Sequence, residues 1–178
     1  TLLRIKDTEQ QHRLLSIIAD DVRRLDRLIT DIADASRLDA ELSRAKAGPV
    51  AVAPLLSLLA EIHQSTRQPG QPQISVAVAE DDPGRPLRVL AVEDRLVQVL
   101  RNLIGNAISF SPPDGHVLLE AGAVGTMVEI AVSDEGPGIP VGKLDSIFDR
   151  FYSERPKSEN FGQHSGLGLS ISRQIIQA

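Results

Sequence analysis

Two asparagines four residues apart, Asn102 and Asn106, sit in a stretch whose apolar residues recur at helical spacing. That spacing turns both amides to one face of a helix. Asparagine is a poor helix former because its side chain competes for backbone hydrogen bonds, so two on one face call for a reason beyond propensity. One reason is chemical: a side-chain carbonyl can ligate Mg²⁺, a hard cation that shares its coordination shell with nucleotide phosphates. Taken alone, the pair favours the plainer reading of solvent-facing or capping amides.

Two further clusters lie downstream. Asp134, Gly136 and Gly138 follow an apolar alternation, which sets a carboxylate at a strand end beside two spaced glycines. Such a carboxylate can accept a hydrogen bond from an exocyclic amino group like that of adenine, while glycines let the chain approach a flat base. An ordinary Asp-Gly turn has the same look. The third cluster, Ser165-Gly166-Leu167-Gly168-Leu169-Ser170, opens a helix. Small residues there expose backbone N–H groups, and the helix N-terminus adds partial positive charge, which together make a phosphate cradle. No Gly-Lys-Ser/Thr follows as in a Walker loop, and no strand immediately precedes it as in a Rossmann fingerprint.

These clusters need elements to hold them. The pattern predicts a strand at 50–52, a helix at 54–66 with Pro54 near its start, and strands at 74–78 and 87–90. A helix at 93–110 follows, then strands at 117–123 and 127–133 separated by Gly125. Irregular chain runs from 134 to 165, with short helical pieces near 143–151, and a last helix begins near Gly166 and is still running at Ala178. Irregular chain of that length in a compact domain is functional or mobile. Glycines punctuate both of its ends, which reads as a lid over a phosphate-bearing ligand.

The first part of the chain has a different character. From about Gln10 to Arg44 no Gly or Pro intervenes, and Leu14, Ile18, Leu25, Leu28, Ile32, Ala35 and Leu42 recur with a helix period. With Ile18, Leu25 and Ile32 at heptad position a, Leu28, Ala35 and Leu42 fall at d, and Leu15, Val22 and Ile29 at e. That stripe is wider than a zipper seam and suits a helical bundle. At ~1.5 Å per residue the helix is roughly 50 Å long, too long for its own domain to cover. Residues 1–5 are expected to end a preceding antiparallel helix, with 6–9 as the turn. Two helices per chain and a four-helix bundle per dimer bury the stripe at least cost; packing on its own domain is the alternative.

Composition sets outer limits. A chain of 178 residues with 42% hydrophobic and 24% charged residues can bury a core without staples. Aromatics are only 3%, so base stacking is not its main task. The absence of cysteine removes disulfides, thiolate metal sites and cysteine nucleophiles together. Residues 1–47 balance nine basic against nine acidic side chains, so the net charge of −5 lies wholly beyond them and no basic nucleic-acid footprint exists. The apolar run 50–60, broken by Pro54, is far short of the ~20 residues of a membrane span, so a soluble fragment is expected. Thr1 in place of Met is expected to mark a piece of something longer.

The order and spacing of the three clusters are more specific than any one. They resemble the ATP-binding domain of sensor histidine kinases, in the superfamily that also holds gyrase, the Hsp90 chaperones and the MutL mismatch-repair proteins. Asn102-Leu103-Ile104-Gly105-Asn106-Ala107 resembles the family's N box and Asp134-Glu135-Gly136-Pro137-Gly138-Ile139 its G1 box. Ile147-Phe148-Asp149-Arg150-Phe151-Tyr152 resembles the F box, and Ser165-Gly166-Leu167-Gly168-Leu169 the G2 box. The stretch 21–28 in helix 10–44 is similar to the second helix of the dimerisation and phosphotransfer domain. The segments 109–113 and 151–156 resemble those of envelope- and acid-sensing kinases of alphaproteobacteria.

The resemblance implies a division at 47/48. A helical dimerisation part (1–47) precedes an ATP-binding domain (48–178), an α+β two-layer sandwich of the Bergerat type whose mixed sheet is covered on one face by three helices. It implies ATP and Mg²⁺ as ligands, with Asn106 holding the metal, Asp134 reading adenine, Phe110 packing on the base where a Tyr is common, and the backbone of 166–169 gripping phosphate. Asn102, Gly136, Gly138, Ile139, Phe148, Phe151, Ser165, Gly166, Leu167, Gly168 and Leu169 complete the expected nucleotide site. The partners implied are a second copy through residues 10–44 and the receiver domain of a response regulator. Nucleic acid is not among them, and the membrane is reached only through parts outside this sequence, as in the cytoplasmic portion of an inner-membrane sensor.

One position separates the superfamily's kinases from its ATPases. The hydrolytic members carry a Glu four residues before the Mg²⁺-binding Asn as general base. Here it is Asn102, whose amide cannot take a proton, so slow hydrolysis and transfer to a protein acceptor are expected; an ATP-hydrolysing clamp or a non-catalytic nucleotide-binding dimerisation module are the alternatives. Two features depart from the family. Ser109 stands where a Lys is common, so phosphate neutralisation leans on Arg150, Arg155 and Lys157. None of His12, His63, His116 or His164 has the acceptor context of a following acid and a Pro four residues on. Each reads as a surface histidine, the acceptor is expected upstream of Thr1, and the fragment alone is expected not to phosphorylate itself. A final pair of strands, usual in the family, is expected beyond Ala178.

Overall fold

The computed structural model describes residues 11–19, 22, 25, 29, 45–79, 86–152 and 166–178. Residues 11–19 form helix α1, and Val22, Leu25 and Ile29 are helical too. The expected short helix and turn at 1–9, and most of the expected helix beyond residue 19, lie outside the described residues.

Strand β1 (Gly48–Ala51) runs into helix α2 (Val52–Thr66), followed by β2 (Gln73–Val78), β3 (Arg88–Ala91), α3 (Glu93–Phe110), β4 (His116–Val124), β5 (Met127–Ser133) and α4 (Gly168–Gln177). Two 3-10 turns, Val141–Lys143 and Ser146–Phe148, interrupt the stretch between β5 and α4. Pro54 falls in the first turn of α2, where backbone N–H groups lack intrahelical partners and a missing one costs nothing. Glu93 and Asp94 open α3, where acidic charge complements the helix dipole.

The sheet is mixed. β2 pairs parallel with β4, and β4 antiparallel with β5, while β1 and β3 form a separate antiparallel pair. Register aligns the apolar rows Val76, Leu119 and Val132, and Val78, Ala121 and Ile130, across the three strands. These rows meet α2 through Val52, Leu55, Leu56 and Leu59, and α3 through Leu96, Leu100, Ile104 and Ala107. Both helices supply them at spacings of three and four, as a core-facing stripe must. Removing side chains such as Leu56 and Leu119 from water contributes ~1.5–3 kcal/mol each.

Helices α2 and α3 cover this sheet, whereas α4 packs chiefly on α3 and on the second 3-10 turn. Its buried residues Leu167 and Ile171 form a small cluster of their own. Among the described residues no helix is long and apolar enough to cross a membrane.

Candidate functional site

Helix α3 is the spine of the site. Asn102, Asn106 and Phe110 recur every four residues and so share a face. At the first of these positions α3 meets α4: the Asn102 amide nitrogen donates to the Gly168 carbonyl at 3.2 Å and to the Ser172 hydroxyl at 3.3 Å. At the last, α3 meets the loop after β5. A β carbon on Gly136 would lie 2.9 Å from the Phe110 carbonyl oxygen, so only glycine permits this approach. Asn106 thus lies between the two glycine loops, one turn from each contact. Its half-buried amide has no hydrogen-bond partner among the described residues.

Asp134 is exposed, and its Oδ1 accepts the Gly136 amide at 2.7 Å, closing an Asx turn. Glu135 holds the same loop from the other side, its Oε2 accepting the His116 amide at 3.0 Å. Gly138 has φ +73°, a left-handed turn that glycine adopts without strain. Ile139 and Phe110 are exposed at 48% and 43%, apolar surface flanking this turn and the end of α3.

Among the described residues no side chain caps the N-terminus of α4, and backbone N–H groups at such a terminus can meet an anion. Leu167 is buried beneath them, while Gly166, Gly168 and Leu169 are half-buried. Gly166 abuts Phe151 and Tyr152, tying the start of α4 to the chain after the 3-10 turns. Phe151 and Arg150 are exposed. Phe148 has a packing partner on α4, where the Arg173 guanidinium stands 5.3 Å from its ring centre. Arg155, Lys157, Ser165 and His164 lie outside the described residues. Ser109 donates its hydroxyl to the Asn106 carbonyl at 3.2 Å.

Among the histidines, His12 and His116 are exposed as expected, but His63 differs. It is half-buried with its Nε2 sealed from solvent and unpartnered. Burial chiefly, and the Arg67 charge next, hold its pKa below the ordinary value. Its place in a helix end rich in polar residues concealed this. Sequence reasoning also passed over Glu135, Arg173 and Ser172; for Ser172 the signal was a hydroxyl inside the buried stripe of α4.

Among the described residues no three His, Cys, Asp or Glu side chains gather as a metal site. A cation here would draw its oxygen donors from a bound phosphate together with the free Asn106 amide, as suits Mg²⁺.

A family model described as histidine kinase-, DNA gyrase B-, and HSP90-like ATPase matches residues 91–178. The sensor protein ChvG of Rhizobium meliloti (strain 1021) is 46% identical over 181 residues, covering 100% of this chain. The chain spans 31% of the length of that relative. Full-length ShkA in complex with AMPPNP superposes with a TM-score of 0.73 at 30% identity, covering 98% of this chain and 35% of that one. ThkA in complex with the response regulator protein TrrA superposes with a TM-score of 0.71 at 26% identity, covering 97% and 46%.

Proposed function

Because this chain belongs to the sensor histidine kinases, within the histidine kinase-, gyrase B- and HSP90-like ATPases, we propose that it binds Mg-ATP and donates the γ-phosphate to a histidine outside the four it contains. The phosphate then passes to an aspartate on a response regulator. The observation that carries this reading is the position of Asn106, an unengaged amide between two glycine loops fixed to the same helix face.

The parts divide the work. Gly136 occupies one oxygen of Asp134, which leaves the other to accept the adenine amino group. The uncapped N-terminus of α4 takes phosphate through backbone N–H groups. Asn106 would hold Mg²⁺ together with a bound phosphate, and the ion would supply neutralisation of phosphate charge. Arg150 and Arg155 supply positive charge for the phosphate. Asn102 offers no proton acceptor where a hydrolytic relative has a carboxylate, which disfavours attack by water and with it the hydrolytic-clamp alternative. The structure of ThkA with TrrA supports a receiver domain as partner, and that of ShkA with AMPPNP supports an adenine nucleotide as ligand.

Residues 1–47 serve as the dimerising stem and 48–178 as the nucleotide domain, on the cytoplasmic side of a membrane-bound sensor. Support for the stem comes from Leu15, Ile18, Val22, Leu25 and Ile29, all exposed along helical positions.

Asp134→Asn tests the nucleotide site. Asparagine keeps a carbonyl for the Gly136 amide, so the turn survives, but replaces the adenine acceptor with a donor. ATP affinity in calorimetry should fall at least tenfold, about 1.4 kcal/mol, with the melting temperature unchanged. Wild-type affinity in this variant removes the assignment.

A further inference from the structure

Ser172 is 5% exposed, the one buried polar side chain among the described residues. Its hydroxyl donates to the Gly168 carbonyl at 2.8 Å, so the face that Ser172 turns to Asn102 is a lone pair. The Gly168 carbonyl is an acceptor too. Position 102 therefore confronts two acceptors, 3.2 and 3.3 Å from one nitrogen, and a single NH₂ group satisfies both. That requirement fixes which way round the amide sits.

We propose that Ser172 and Gly168 make position 102 a donor-only position, so that Asn102 is a positioning residue latching the phosphate-binding end of α4 to α3. A carboxylate at 102 would break the latch before it could serve as a base. This rests on the proposed nucleotide site and extends it: absence of hydrolytic chemistry is written into α4 as well as α3. A carboxylate would set negative charge against the Gly168 carbonyl, and rotating the Ser172 hydroxyl toward it would strip that carbonyl of its remaining side-chain donor. Asn102 also packs against Gly168, where an added β carbon would stand 3.5 Å from the Asn102 side-chain carbon, an ordinary van der Waals contact.

Ser172→Thr and Ser172→Val provide the test, because the two side chains have nearly equal size and differ by one hydroxyl. A packing defect would strike both alike; loss of the latch strikes only Val. Without nucleotide, the Asn102 side-chain NH₂ protons in NMR should exchange with water slowly in wild type and Thr. In Val they should exchange about tenfold faster, as the loss of one neutral hydrogen bond allows. ATP affinity should fall about tenfold in Val and recover in Thr. Equal exchange in Val and Thr overturns the latch. Asn102→Glu should weaken ATP binding without raising hydrolysis; faster hydrolysis at unchanged affinity also overturns it. Failure of wild-type protein to bind ATP would instead sink the nucleotide site and leave the exchange result to judge the latch alone.

Discussion

Phe151 and Gly166 are joined backbone to backbone, the Phe151 amide donating to the Gly166 carbonyl at 2.9 Å, with left-handed φ of 66° and +69°. A β carbon on Gly166 would lie 2.8 Å from both the Phe151 carbonyl carbon and the Tyr152 oxygen. The two ends of the stretch between them are thereby fixed to each other, and through Gly168 and Asn102 to α3. A phosphate at α4 would thus sense the F-box side of the site through main-chain contacts.

Gly166→Ala should separate these ends. The left-handed backbone costs an alanine ~1–2 kcal/mol, and the contact at 2.8 Å forces a backbone shift in addition. Because Gly166 lies outside the main core, the melting temperature should drop by a few degrees while ATP affinity falls more than tenfold. Calorimetry and thermal unfolding on the same samples check this, and unchanged affinity would show that the junction does not shape the phosphate site.

Gly105→Ala should act in the opposite direction. Gly105 is inside α3 with nothing within 4 Å of an added β carbon, and its φ lies outside the left-handed range. Alanine there removes a helix-interior glycine, worth roughly 0.5–1 kcal/mol, which raises the melting temperature by about 1–4 °C in a chain of this size. A lower melting temperature would mean that the space is filled in solution.

How much of this was legible depends on what encodes each part. Helix α3 was legible to its bounds, since its apolar spacing, its opening acids and the turn at Ser111–Gly115 are local signals. The alternation in β4 and β5 gave both strands within a residue or so. The packing of α4 on α3 was not legible: amphipathicity shows that a helix has a buried face and leaves its partner open. Equally hidden was the separate β1–β3 pair, because pairing is a long-range choice. In the site, the four boxes marked Asn106 and Asp134, but the hydrogen bonds of Asn102 to Gly168 and Ser172 join residues 66 and 70 apart and exist only in the fold.

His63 makes stability depend on pH. Its folded-state pKa is below the ordinary 6.5, through burial first and Arg67 second, so the fold prefers the neutral ring. The corresponding stability is complete above pH 6.5 and is lost as pH falls from there through the depressed pKa, because the unfolded chain takes up the proton first. Urea unfolding at pH 7.5 and 5.5 should show this decline, and His63→Gln should flatten it. A slope in the variant as steep as in wild type would assign the effect to other groups.

The stem supplies the last prediction. Leu15, Ile18, Val22, Leu25 and Ile29 recur at alternating steps of three and four, and each is at least 40% exposed. Soluble chains rarely leave such a contiguous stripe open to water, so a second copy is its natural cover. Leu25→Lys with Ile29→Lys places two charges per chain at that interface. Burying a Leu or Ile contributes ~1.5–3 kcal/mol, so four lost burials per dimer remove roughly 6–12 kcal/mol, about ten-thousandfold or more in the dissociation constant. Sedimentation equilibrium should find dimers for wild type and monomers for the double variant. ATP affinity should be the same in both, since neither residue touches the nucleotide site. A wild-type chain that is monomeric at high concentration, or a double variant that still dimerises, would assign the stripe to another cover.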